Sequence, residues 1–403
     1  MSSKVEFENQ KLKQAIILAG GLGERLKPLT YKTPKPLVSI NGKPFILYLI
    51  ERLILQNITE ILILTGFKSD EFLFLKNQFG NKINLKIIET PVSYQTGSRI
   101  LNASEFIHDH FLLLYGDNYW PFNIKLLAKN YFNSKKIGQI VIYQNDDRYS
   151  LSNVSISDNY IINCYDKSRK IPNLQFVDIG FGIFSRKVIE FLDLKINESF
   201  EKQVYEKLVE KKQLIGFPTA HRYYSLTNLD RLGPLETVLS DRKIIMIDRD
   251  GVLNKKAKRG EYITSWNDWV WNKGAISFLK ACKNKNYRII IISNQAAIGR
   301  KIATQPEIDK LHTEMLRFLD SKNANCIEHI YICPHHWEDN CDCRKPKIGL
   351  FTRAQKDYHI DLTKYIFIGD TDSDMNAAKS VGMDFFLVDP NSNIFSQLKK
   401  YLI

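Results

Sequence analysis

Residues 244–251 read Ile244-Ile245-Met246-Ile247-Asp248-Arg249-Asp250-Gly251, and residues 15–21 read Ala15-Ile16-Ile17-Leu18-Ala19-Gly20-Gly21. Each is a short apolar run stopped by a turn containing glycine or aspartate, the pattern of a first, buried strand that delivers functional groups at its carboxyl end. After each, apolar runs alternate with helical patterns, at 61–64, 111–114 and 139–143 in the first part and at 288–292, 329–332 and 365–368 in the second. Such alternation implies an α/β protein with mainly parallel sheets. Two openings of this kind predict two domains, 1–240 and 241–403, with residues 230–242 forming a terminal helix that leads into the second. No Gly/Ser-rich or Pro-rich linker, low-complexity tract or short-period repeat interrupts the chain.

With 403 residues, 44% hydrophobic and 25% charged, the chain has enough material for two cores at about 150 residues per domain. The formal net charge of +13 comes from lysines scattered among isoleucine and asparagine, without the stripe or tail of a nucleic-acid binder. It implies a surface biased toward anionic substrates. The first ten residues, MSSKVEFENQ, are polar, and no apolar run approaches the roughly 18 residues needed to cross a bilayer. The expectation is a cytoplasmic protein with neither membrane nor nucleic acid as partner.

Six cysteines in such a chain argue against a disulfide framework. Cys164, Cys282 and Cys326 stand alone, whereas Cys333, Cys341 and Cys343 crowd into eleven residues with His335 and His336. The spacing C-x-H-x5-C-x-C offers three thiolates and an imidazole, a donor set suited to tetrahedral Zn2+ at Cys333, His335, Cys341 and Cys343. Four protein ligands leave no open coordination position, so the predicted zinc is structural, with His336 outside it. Its effect would be to pin Arg344 and Lys345, which follow directly.

Residues 18–37 read LAGGLGERLKPLTYKTPKPL. Gly20, Gly21 and Gly23 let main-chain N–H groups approach an anion, and Arg25 and Lys35 add fixed positive charge, an arrangement that suits a triphosphate. The whole string, G-G-x-G-x-R-L-x-P-L-T followed by P-K-P-L, resembles the signature of the sugar-phosphate nucleotidyltransferases over roughly residues 14–240. That resemblance implies a Rossmann-like mixed sheet. It also implies that Arg25 holds the leaving β,γ-phosphates, Lys35 the α-phosphate, Gly20 and Gly21 the nucleotide, and Asp117 in Tyr115-Gly116-Asp117-Asn118 a Mg2+ ion. Asp166-Lys167 resembles the acid-lysine pair that receives the sugar phosphate, and Gly97 the glycine of the base-recognition segment. Two positions depart from the pattern: Tyr94 lies in the base segment, and Ser225 stands where relatives often carry a second magnesium-binding aspartate.

Asp248 and Asp250 place two carboxylates just beyond a strand, which fits covalent phosphoryl transfer: one attacks phosphorus while the other protonates the leaving oxygen and then activates water. Together with Ser293-Asn294-Gln295, Arg344-Lys345-Pro346 and Gly369-Asp370-Thr371-Asp372-Ser373-Asp374, in this order, they resemble the haloacid dehalogenase superfamily of phosphatases. The resemblance implies a Rossmannoid parallel sheet with Asp248 as nucleophile and Asp250 as general acid/base. Ser293 and Lys345 would hold the phosphoryl group, while Asn294, Gln295 and Arg344 would contact substrate. Mg2+ would sit on Asp248, the Asp250 carbonyl and Asp370, with Asp374 positioning the loop. The cysteine cluster narrows the likeness to the zinc-containing branch, which includes heptose 1,7-bisphosphate 7-phosphatases and histidinol-phosphate phosphatases.

The fusion selects between those substrates. Removing the 7-phosphate from heptose 1,7-bisphosphate yields a heptose 1-phosphate, which a nucleotidyltransferase consumes. The expected partners are therefore a sugar phosphate and a nucleoside triphosphate, GTP by analogy with heptose 1-phosphate guanylyltransferases. Two alternatives stand beside this: a histidinol-phosphate-type phosphatase fused to a transferase for another sugar 1-phosphate such as mannose 1-phosphate, and a phosphatase fused to an inactive sugar-phosphate-binding domain.

Overall fold

The computed structural model describes residues 12–258 and 260–402. The chain divides between Leu239 and Ser240 into two compact units, each built on its own sheet. No helix among the described residues is long and apolar enough to cross a membrane.

The sheet of the first unit contains β1 (Gln14–Leu18), β2 (Glu60–Thr65), β3 (Asn84–Glu89), β4 (His110–Tyr115), β5 (Gly138–Gln144), β6 (Val154–Ile156), β7 (Ile162–Tyr165), β8 (Phe176–Ser185) and β9 (Leu214–Thr219). Their order is β7-β6-β8-β4-β1-β2-β3, with β5 also paired to β8 and carrying β9. β1 is buried along its whole length, with β2 and β4 parallel on either side. Its side chains alternate between faces: Ala15 and Ile17 join one core with Ile63, Leu112 and Phe122, and Ile16 and Leu18 join another with Leu62, Leu113 and Phe184. Because Leu18 lies opposite both Leu64 and Tyr115, the turns after β1, β2 and β4 open on one edge of the sheet.

β8 runs antiparallel to β4 and β5, which makes this sheet mixed, as the family resemblance implied. Its pairing with β5 shifts register between Asp178 and Gly182, and Gly180 inside that bulge has φ 75°. A Cβ there would lie 2.9 Å from the Tyr115 ring, so the bulge requires glycine. The bulge also turns Asp178 toward the end of the sheet where the β1 and β4 turns open.

The second unit carries five parallel strands, β10 (Ile244–Ile247), β11 (Arg288–Asn294), β12 (Ile327–Cys333), β13 (Ile366–Gly369) and β14 (Asp384–Leu387), in the order β12-β11-β10-β13-β14. The same alternation operates: Ile245 and Ile247 pack with Phe278 and Met315, whereas Ile244 and Met246 pack with Phe351 and Phe367. Asp248, Ser293, Cys333 and Asp370 stand at the carboxyl ends of β10, β11, β12 and β13, four neighbouring strands. The helix expected over 230–242 is shorter, Leu232–Leu239, and residues 241–243 have no regular structure.

Candidate active sites

In the first unit a cavity of about 460 Å³ is lined by Gly20, Gly21, Gly23, Arg25, Lys35 and Asp117. Gly23 adopts φ 67°, and its carbonyl accepts the Thr30 hydroxyl at 2.8 Å, which folds the loop back beneath Lys35. Lys35 Nζ donates to Asp117 Oδ2 at 2.6 Å, joining the turn after β4 to the loop after β1. Tyr94 lines this cavity beside Gln95 and Thr96.

Sequence reasoning missed Arg99, which is buried under the glycine loop on the helix Thr96–Asn102. Its guanidinium donates to the carbonyls of Thr65 at 2.8 Å, Gly20 at 3.1 Å and Val92 at 3.1 Å, and to the Thr90 hydroxyl. One side chain thereby ties together the turns after β1, β2 and β3. A Cβ on Gly20 or Gly66 would fall within 2.5 Å of that guanidinium, which is the packing reason for glycine at both positions. Every oxygen that Arg99 touches is neutral, and burial lowers its pKa. A buried cation without a carboxylate favours an anionic ligand nearby.

A second cavity, about 520 Å³, shares Arg25, Tyr115 and Asp117 with the first. It receives Lys167 but not its expected partner. The Asp166 carboxylate accepts four bonds from its own turn, from Ser168 N, Ser168 Oγ, Lys170 N and Ile171 N, and serves as a turn cap. The acid beside Lys167 is Glu201, whose Oε2 accepts from Lys167 Nζ at 3.0 Å and whose Oε1 accepts from Tyr115 Oη. Burial pushes Glu201 upward, but Lys167 and Tyr115 outweigh it and leave the carboxyl below its usual value. Glu201 opens a π-helical turn, Glu201–Tyr205, a local form that sequence periodicity does not announce.

Gly97 is likewise not a cavity residue. Its N–H donates to the Glu198 carbonyl at 3.2 Å, and a Cβ would sit 2.7 Å from that oxygen, so this glycine allows close packing. Asp178 enters the second cavity from the bulge, accepting from Tyr165 Oη and Gly180 N, each at 3.0 Å, and burial pushes its pKa up to about 6. Ser225 pairs with Asn118 across a short ribbon next to Asp117 and lines the same cavity. Among the described residues, Asp117 belongs to no group of three metal-type ligands. A lone carboxylate paired with Lys35 would hold Mg2+ only together with phosphate oxygens of a substrate.

In the second unit, Lys345 is buried between Asp248 Oδ1 at 3.1 Å and Asp374 Oδ1 at 2.7 Å, and Nζ also donates to the Ile292 carbonyl at 2.7 Å. Carboxylate oxygens of Asp248, Asp370 and Asp374 lie within 4.8 Å of one another, so Asp374 joins the cluster directly. Its other oxygen caps the helix Asp372–Ser380 through Thr371. Asp370 Oδ1 is buried without a hydrogen-bond partner, while Oδ2 meets Lys256 Nζ at 2.6 Å. This all-oxygen set with an orphaned lone pair fits Mg2+. Burial pushes Asp248 up to about 7 against the opposing pull of Lys345. Gly251, at φ 89°, leaves no room for a Cβ, which would lie 2.0 Å from Asp370 Oδ2.

Asp250 points away from that cluster. Its carboxylate accepts from Arg249 Nε at 3.1 Å and Arg249 Nη2 at 3.0 Å, from Asn254 Nδ2 at 2.8 Å and from Gln295 Nε2 at 2.8 Å. Burial alone would raise its pKa, but Arg249 overrides this and holds it below the usual value. Arg249 Nη1 lies 3.1 Å from His312 Nε2, so the imidazole accepts there and is neutral, in keeping with a pKa that burial lowers to about 3. Neither Arg249 nor His312 was anticipated. Gln295 also donates to Ser293 Oγ at 2.9 Å, and Asn294 clamps the main chain of Lys345 through both its amide atoms. Both amides, expected to contact substrate, are hydrogen-bonded to Asp250, Ser293 and the Lys345 main chain.

The cysteine cluster is assembled as expected. Cys343 Sγ lies 3.2 Å from Cys333 Sγ, 3.6 Å from Cys341 Sγ and 3.2 Å from His335 Nδ1, and Cys333 Sγ is 3.6 Å from Cys341 Sγ. Thiolates at about 2.3 Å from one tetrahedral ion would sit about 3.8 Å apart, so the set is compact enough to close around Zn2+. His336 caps its own short turn and packs on Trp337, outside the cluster. Arg344 Nη1 reaches the His335 carbonyl at 3.4 Å, fastening the loop to the residue before Lys345.

Residues 14–288 match the family described as Nucleotidyl transferase, and residues 243–395 the family described as Polynucleotide kinase 3 phosphatase. The second unit is similar to a probable D-glycero-D-manno-heptose-1,7-bisphosphate 7-phosphatase of Thermoplasma volcanium, 34% identical over 147 residues that cover 36% of this chain and 98% of that protein. It is also 32% identical over 161 residues to the histidine biosynthesis bifunctional protein HisB of Blochmanniella floridana, covering 40% of this chain and 45% of that protein. Among solved structures, HddC from Yersinia pseudotuberculosis complexed with GMP-PN matches at 25% identity and TM-score 0.44, over 55% of this chain and 96% of that chain.

Proposed function

The chain belongs to the nucleotidyl transferase family and carries a second unit of the heptose bisphosphate phosphatase kind, and on that premise we propose a bifunctional enzyme of nucleotide-activated heptose synthesis. The second unit removes the 7-phosphate of D-glycero-D-manno-heptose 1,7-bisphosphate. The first transfers GMP from GTP to the resulting heptose 1-phosphate and releases pyrophosphate. The observation that carries this reading is the union in one chain of a nucleotidyl transferase domain and a unit similar to heptose bisphosphate phosphatases. Removal of the 7-phosphate from such a bisphosphate would leave a sugar 1-phosphate for a transferase to accept.

In the phosphatase step Asp248 attacks phosphorus and the bond to the sugar O7 breaks; Asp250, which takes up a proton as the anionic substrate enters beside it, passes that proton to the leaving oxygen. Asp250 then takes a proton from the water that hydrolyses the aspartyl phosphate. Arg249, Asn254 and Gln295 fix Asp250 for both transfers, while Lys345 and Ser293 hold the phosphoryl oxygens. Mg2+ on Asp248, Asp370 and Asp374, with the Asp250 carbonyl, would supply charge that keeps Asp248 ionised and offsets its repulsion from phosphate. In the transferase step Arg25 and Lys35 balance the triphosphate, and Lys167, fixed by Glu201, receives the phosphate of the acceptor. That phosphate attacks the α-phosphorus as pyrophosphate leaves.

Purified protein given heptose 1,7-bisphosphate, Mg2+ and each nucleoside triphosphate in turn should release phosphate and pyrophosphate and yield GDP-heptose by mass. Hydrolysis of histidinol phosphate with none of the bisphosphate would overturn the assignment. A second reading rests on Ser225, which stands beside Asp117 where relatives often carry a carboxylate, and among the described residues Asp117 belongs to no group of three metal-type ligands. A transferase inactive for that reason would bind GTP without releasing pyrophosphate in the same assay.

A further inference from the structure

We propose that the acceptor cavity of the first unit contains a second anion subsite, formed by Arg169 and Arg231, that takes a phosphate carried by the sugar away from C1. The inference rests on the nucleotidyl-transfer reading above and extends it to the sugar bisphosphate as acceptor.

Of the cations lining the two joined cavities, Arg25 and Arg99 line the nucleotide cavity, and the other four fall into two groups. Lys35 is neutralised by Asp117 at 2.6 Å and Lys167 by Glu201 at 3.0 Å. Arg169 and Arg231 line the acceptor cavity without reaching the nucleotide cavity, and among the described residues neither forms an ion pair with a carboxylate. Both are nevertheless held in place. Arg169 Nη1 donates to Ser150 Oγ at 3.2 Å and to the Leu151 carbonyl, whereas Arg231 Nη2 donates to the Tyr149 carbonyl at 3.0 Å and its guanidinium lies 4.0 Å over the Tyr149 ring. Three consecutive residues, 149–151, therefore fix two guanidinium groups. Neutral oxygens and an aromatic face orient these groups without cancelling their charge. Asp178 is the acid that Arg169 senses electrostatically, and its two oxygens are taken by Tyr165 and the Gly180 N–H.

An acceptor with one phosphate must place it where the cavities meet, at Arg25, Tyr115 and Asp117, because that is where it reaches the α-phosphorus. A pair of fixed, unneutralised arginines elsewhere in the cavity has no use for such a molecule. It suits an acceptor with a second phosphate at the other end of its carbon chain. The substrate of the phosphatase unit has that form. Transfer to it balances in the same way: an oxygen of the 1-phosphate bonds the α-phosphorus, the bond to pyrophosphate breaks, and the distal phosphate is unchanged. The two activities then run in either order, with the phosphatase also acting on the nucleotide-linked heptose 7-phosphate.

The test uses the full chain carrying Asp248→Asn, so that the bisphosphate survives, with GTP and Mg2+ and either heptose 1,7-bisphosphate or heptose 1-phosphate as acceptor. The bisphosphate should give pyrophosphate and a product whose mass is that of GDP-heptose plus one phosphate. In that background Arg169→Gln or Arg231→Gln should lower kcat/KM for the bisphosphate about tenfold, mainly through KM, and leave the monophosphate within about twofold. The corresponding lysine variants should recover part of the loss. Turnover of the monophosphate alone, or equal losses on both acceptors in the glutamine variants, would overturn the subsite. Turnover of neither acceptor would instead sink the nucleotidyl-transfer reading, and the subsite with it. If Asp248→Asn does not fold, Asp250→Asn serves the same purpose.

Discussion

Asp178 shows how a single residue of the acceptor cavity trades stability for placement. Its carboxyl is held by Tyr165 and Gly180 in a setting that pushes the pKa from 3.8 up to about 6. A group whose pKa is raised in the folded state costs nothing below the unfolded value and destabilises the fold as pH rises through the folded value. Asp178→Asn should therefore be more stable than the parent chain at pH 7, by about 2 kcal/mol after discounting for partial exposure. The gap should close as pH falls from about 6 to about 4, in urea unfolding followed at several pH values. This residue was not legible in the sequence, because a bulge in β8 aims it. Asp166 was legible in type but not in role: next to Lys167 along the chain, it spends its oxygens on its own turn, while Glu201 reaches Lys167 from a distant π turn. Carboxylates at strand ends, such as Asp117, Asp248 and Asp370, could be placed from sequence. Those whose function depends on a partner far along the chain, such as Arg99 and His312, could not.

At the level of elements, the strands that read as unbroken apolar runs were found within a residue or two. β8 escaped notice because Asp178, Gly180 and Gly182 interrupt its run, so the mixed sheet it creates was expected only from the family resemblance and not from the strand pattern. The loop that follows β12 was read in full, since three thiols and an imidazole at short spacing specify their own assembly. This loop should bind one equivalent of zinc per chain, retained when a weak chelator removes magnesium, because thiolate and imidazole donors separate the two ions by affinity. Cys341→Ser should weaken phosphate release and lower the unfolding temperature of the second unit, and leave nucleotidyl transfer within about twofold. Metal analysis and separate assays of the two activities check this. Negligible zinc with full phosphatase activity would make these cysteines ordinary thiols.

For the whole molecule, two sheets carrying separate cores predict separable chemistry. Asp248→Asn should abolish phosphate release and leave transfer to supplied heptose 1-phosphate near the parental rate. Lys35→Ala should do the reverse, because water does not replace a fixed cation at the α-phosphate. Both are read by parallel phosphate and pyrophosphate assays, and loss of both activities in either variant would contradict independent sites. The half-exposed thiols of Cys341 and Cys343 give this division a further meaning under oxidative stress. Peroxide that converts a zinc thiolate to a sulfenic acid would release the metal and silence one catalyst while its neighbour on the same chain kept working. Under the proposed function, the output would then change rather than cease, from the dephosphorylated nucleotide sugar to one that still bears its distal phosphate.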